Sequence, residues 1–251
     1  MITIPEQFRE LVRSPGDLDL RGAWSTTADL LARHAQIGGR RIAEIRAVDS
    51  EQLQSRIATA WQQLVANLRN WEIADSTSVN VNFDKGRLLA GWTSPLAPLL
   101  FKPALTAHVT LVVTDTPEWL HAFERADLLI NIRSQGALRA LAQRMRDQSP
   151  LVVMLDNHYA GTAFVKAPLL GREVAVPSGV LDLAARYKYE IDFPVTANGR
   201  IAVGDTISAD GKSAEELAAW YNLCLTRQVR ADPVSWLGMA ALRRRGDLAG
   251  R

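Results

Sequence analysis

The chain has 251 residues, a single cysteine (Cys224), and no run of eighteen apolar residues. One thiol excludes an intramolecular disulfide and any zinc site built from several cysteines. Without a long apolar run, no transmembrane helix is expected. The longest uncharged apolar run, Leu88 to Leu100, contains Pro95 and Pro98 and reads as core or interfacial packing. The opening MITIPEQFRELVR has no apolar stretch behind a basic start, so no signal peptide is expected. Together these features point to a cytoplasmic chain with at most peripheral membrane contact.

An excess of one charge is also missing. Lys and Arg number 29 against 27 Asp and Glu, a formal charge of +2. A protein that coats nucleic acid usually carries a larger basic excess. Aromatics interleaved with basic residues, the pattern that stacks single-stranded bases, are not present either. No nucleic-acid partner is expected.

The common catalytic signatures fail in turn. There is no G-x-G-x-x-G for a dinucleotide and no G-x-x-x-x-G-K-[ST] for a nucleoside triphosphate. There is no G-x-S-x-G nucleophile elbow. The residues His34, His108, His121 and His158 show no metal-ligand spacing, so no metal site and no bound cofactor are expected.

What remains is a globular composition, 47% apolar and 22% charged, long enough to bury a sizeable core. The first 75 residues read as helical. In the third of these helices, running to about Trp71, Leu53, Ile57, Trp61, Leu64, Val65 and Leu68 recur at helical spacing. From Ser78 the texture changes. Val79, Val81 and Phe83 alternate with Asn80 and Asn82, predicting a strand with one polar face. Strands are also predicted over 108–114, 126–132, 150–155, 189–195 and 200–205. Helices are predicted over 136–147, with Leu138, Leu141 and Met145 on one side, over 177–188, and over 213–230. Ser213 and Glu216 form a capping box for the last of these. A further short helix is expected from Pro233, ahead of a polar tail beginning Arg243-Arg244-Arg245. Strand–helix alternation predicts an α/β fold, a three-layer sandwich with a mixed central sheet and an N-terminal helical addition. No linker or repeat divides the chain, so a single domain over 1–251 is expected.

One set of segments is more specific in its order. Gly136-Ala137-Leu138-Arg139 opens a helix, and Leu151 to Asp156 is an apolar strand ending in a carboxylate. Leu170-Gly171, Pro177-Ser178-Gly179, Leu183-Ala184, Ala218 to Asn222 and Asp232-Pro233-Val234-Ser235-Trp236 follow. In this order they resemble the bacterial lipid A lauroyl/myristoyl acyltransferase family, over roughly residues 78–245. The resemblance implies a glycerolipid acyltransferase-like fold. It also implies transfer of an acyl group from a thioester, on coenzyme A or an acyl carrier protein, used as co-substrate.

The chain departs from that family where its chemistry lies. The family's His-x4-Asp/Glu follows the first sheet strand, and there the chain has Leu88 to Ala97, with neither His nor carboxylate. The terminal His-Arg-Arg is replaced by residues around Gly238 to Ala241, and the family's membrane anchor is not seen. On the family layout, position 91 or 92 takes the place of the missing His, and Trp92 fills its space.

Candidate site residues carry two readings each. Asp156 lies at the carboxyl end of a strand, where open α/β sheets bind ligands; it also suits a turn cap. His158 is a displaced base or a solvated loop residue, and Asn157 lies beside it. Thr93 and Ser94 offer hydroxyls to an acyl carbonyl, or cap the Pro95 turn. Arg133 pairs with a phosphate or carboxylate, or with a surface acid. Lys166 and Arg172 meet a phosphopantetheine or carrier protein, or are simply solvated. Arg243 to Arg245 touch an anionic surface or end a helix.

Two functions follow. The first is an acyltransferase acting on a small soluble acceptor, such as an amine or hydroxylamine, that is nucleophilic enough to do without the family dyad. The second is an inactive relative that binds an acyl group or its carrier as a partner subunit. An α/β protein unrelated to acyl transfer remains a third reading.

Overall fold

A computed structural model describes residues 76–113, 126–132, 134–156, 163–232 and 235–236, with helical residues 59–60, 62–63 and 66–67. The fold is mixed α/β. Strands β1 (Val79–Asn80), β2 (Arg87–Gly91), β3 (Thr110–Val113), β4 (Leu129–Asn131), β5 (Leu151–Met154), β8 (Glu190–Ala197) and β9 (Arg200–Ser208) form one sheet in the order β1-β9-β8-β2-β5-β3-β4. Five neighbouring strands, β8, β2, β5, β3 and β4, run parallel, and β9 turns back antiparallel to β8. Strands β6 (Phe164–Leu169) and β7 (Arg172–Pro177) form a separate antiparallel hairpin.

Strand β2 lies at the centre and has no solvent face. Leu88, Leu89 and Ala90 are at most 2% exposed. Leu88 and Ala90 join Leu151 and Val153 beneath helices α2 (Ala137–Arg146), α3 (Gly179–Arg186) and α4 (Ala214–Ala231). Leu89 points the other way, with Val152 and Leu111, toward helix α1 (Phe101–Thr106) and Ala104. Parallel strands covered on both faces lack apolar–polar alternation. That is why the run from Leu88 gave no strand signal.

The alternating segment Val79 to Phe83 pairs over only two residues. Asn82 ends it: its Oδ1 accepts from the Asp84 amide at 3.0 Å, a local turn that competes with the ladder. Helix α2 also turns differently from the pattern predicted. Ala137, Leu141 and Met145 are buried, whereas Leu138 is 62% exposed. The β6–β7 hairpin was not predicted. Leu170 and Gly171 both have positive φ, 51° and 79°, as a two-residue hairpin turn requires. The capping box is present, with Glu216 N–H donating to Ser213 Oγ at 3.2 Å and Ser213 N–H donating to Glu216 Oε2 at 2.8 Å. The expected helices before residue 59 and the tail after 236 lie outside the described residues.

At the amino end of the sheet, Arg87 on β2 donates to both oxygens of Asp192 on β8, at 2.7 and 2.8 Å. Thr206 Oγ1 donates to the same carboxylate. Asp192 is 1% exposed, and its hydrogen bond raises the Arg87 pKa above the ordinary range. Asp192→Ala is expected to lose about 3 kcal/mol, the low end for breaking a buried pair because the Arg87 side chain is 30% exposed. A drop in the urea midpoint at unchanged slope measures it.

Cys224 on α4 is buried, with Sγ 3.6 Å from Asp205 Oδ2. Burial first, and then Asp205, push the thiol up to about 12. The folded state thus holds the proton longer than the unfolded chain. This contribution is complete below the ordinary thiol value of about 8.5 and is lost as pH rises toward the folded value. Thiol labelling at pH 8 is expected to be at least about 100-fold slower in the folded protein than in urea.

Candidate functional site

The carboxyl edge of the parallel strands is built by an unequal pairing around β2. With β5, the ladder continues to Gly91 opposite Met154. With β8, it stops at Leu89 opposite Asp192. Beyond that point β8 carries an irregularity at Phe193/Pro194, where Phe193 faces Asp205 and Pro194 faces Val203 on β9. Gly204 is the extra residue, and a Cβ there would collide with Val195. Pro194 has no N–H to offer a neighbour, which suits a bulge and ends a ladder.

Across that edge, the segments after β2 and β5 meet. Asp156 is 5% exposed, and its Oδ2 accepts from the Thr93 amide at 2.8 Å and from Trp236 Nε1 at 2.9 Å. Its Oδ1 is buried with no hydrogen-bond partner among the described residues. The connection leaving β2 crosses the face of α1, and the one leaving β5 crosses the face of α3. Neighbouring strands whose connections leave on opposite faces open a crevice at their carboxyl ends, the usual ligand position in such sheets.

Trp92 is core. It is 2% exposed, its Nε1 donates to the Ser235 carbonyl at 3.2 Å, and its ring stacks on Phe193 with centroids 4.8 Å apart. Tyr221 meets Phe193 edge-on, and its hydroxyl donates to the Gly91 carbonyl at 3.0 Å. Ser94 Oγ accepts from the Leu96 amide at 3.2 Å and so caps the Pro95 turn. An apolar recess of about 10 Å³ beside Gly91, Trp92, Ser94 and Met154 has room for roughly one water. A side chain on Gly91 would place its Cβ 2.8 Å from Met154 Sδ, so a His there would force Met154 to move. A cleft of about 130 Å³ with both polar and apolar lining lies on the far side of Ser94, bounded by Thr196 and Ser235.

The structure thus joins Trp92, Thr93, Ser94 and Asp156 in one edge. Asn157, His158 and Arg133 lie outside the described residues. Lys166 is exposed on β6, in the hairpin that packs its Ala167 and Leu169 into the core. Arg172 begins β7, opposite Leu169. Of the four histidines, His108 alone is described, and it precedes β3, at the opposite edge of the sheet. Sequence reading missed Trp236, Ser235 and Thr196 as parts of this edge. The Asp232-to-Trp236 segment was visible as a motif, but no spacing rule relates it to a carboxylate 80 positions earlier. No model of a known protein family matches the chain, and no curated protein matches it.

Asp156→Ala would leave the half-buried Thr93 N–H and the buried Trp236 Nε1–H without their acceptor. It is expected to lose about 2–3 kcal/mol, the cost of leaving such groups unsatisfied. Asp156→Asn keeps an acceptor for both and is expected to lose less than half as much. Urea midpoints of the two variants make the comparison.

Proposed function

We propose that the chain is an acyltransferase with a glycerolipid acyltransferase-like fold, moving an acyl group from a thioester donor to a small nucleophilic amine or hydroxylamine. The observation that supports this is Asp156: a buried carboxylate at the ligand edge of the sheet, one oxygen held by two N–H donors, the other uncommitted among the described residues. A carboxylate fixed in that way can accept a hydrogen bond from the acceptor's N–H and aim its lone pair at the thioester carbonyl. The new C–N bond forms, the C–S bond breaks, and the sulfur leaves with the bonding electrons. The proton lost by nitrogen passes to His158, to Asp156 or to solvent. Since the acceptor is already nucleophilic, positioning supplies much of the acceleration; effective molarities in such arrangements are worth up to about 7–11 kcal/mol. Lys166 and Arg172 are the residues proposed to meet the donor's phosphopantetheine or carrier.

A second reading, an inactive relative that binds an acyl group or its carrier as a partner subunit, is favoured by the lack of a His or carboxylate in the 88–97 stretch after β2.

The full chain is to be incubated with acyl-coenzyme A and acyl-carrier donors, and with hydroxylamine, methylamine or ethanol as acceptor. Product is measured against the enzyme-free rate. Transfer to the nitrogen acceptors is expected, falling about 100-fold or more in Asp156→Asn, the usual scale for a positioned proton-handling group. A comparable fall in His158→Ala would identify the relocated base. Donor binding without turnover would establish the second reading instead, and an unchanged Asp156→Asn rate would remove Asp156 from the mechanism.

A further inference from the structure

We draw no further inference here: the strongest candidate, the cleft of about 130 Å³ bordered by Ser94, Thr196 and Asp232 on the β8 side of β2, carries none because nothing in the structure selects the charge or chemical class of a molecule that would fill it.

Discussion

Strand β2 is buried on both faces and paired on both edges, and most of the architecture follows from that constraint. A strand with no solvent side needs cover above and below, which α1 supplies on one face and α2, α3 and α4 on the other. Parallel neighbours demand crossover connections, and these cross opposite faces after β2 and β5. The free ends of both strands therefore come out at one edge. Burial of the centre places the candidate site at the rim.

That rim is held by side chains drawn from distant parts of the chain. Asp156 Oδ2 joins the segment after β2 to Trp236. Trp92 reaches back to the carbonyl of Ser235, the residue before Trp236. Tyr221 of α4 ties the last residue of β2 through the Gly91 carbonyl, while its ring packs edge-on against Phe193. These contacts close a circuit of β2, β5, β8, α4 and the segment that follows it. A carboxylate inside such a circuit has little freedom to turn toward solvent, so its second oxygen keeps one direction. Preorganisation of this kind is what a positioning role requires.

The sequence signals that could be read in advance were the local ones. Ser213 and Glu216 announce a helix start because the two hydrogen bonds of a capping box are made within four residues. Thr110 to Val113 and Leu151 to Met154 announce strands by β-branched and apolar density. Local reading failed where the partner decided the outcome. Leu88 to Gly91 carries no alternation because both faces are core. Val79 to Phe83 alternates well, yet Asn82 spends its side chain on a turn. In α2 the small Ala137, rather than Leu138, completes the buried row with Leu141 and Met145, and size alone gives the wrong choice. Asp156 was legible as a strand-end carboxylate, but both of its donors were invisible: one is a backbone amide and the other comes from the far end of the chain.

The bulge at Phe193/Pro194 shapes the sheet edge on the β8 side of β2. Had β8 kept its pairing with β2 to the end, the space beside Gly91 and Ser94 would be filled by ladder. Pro194 removes the donor, Gly204 lets β9 approach Val195, and β8 leaves the ladder with β2 behind. Trp92 and Phe193 fill the inner part of the gap so fully that only the 10 Å³ recess remains there. The outer part, past Ser94, stays open. Aromatic stacking thus divides one gap into a sealed wall and a cleft. Asp156 lies on the β5 side of β2 and the 130 Å³ cleft on the β8 side. Ser94 borders the cleft and immediately follows Thr93, whose amide fixes Asp156, so the single turn after β2 contributes to both.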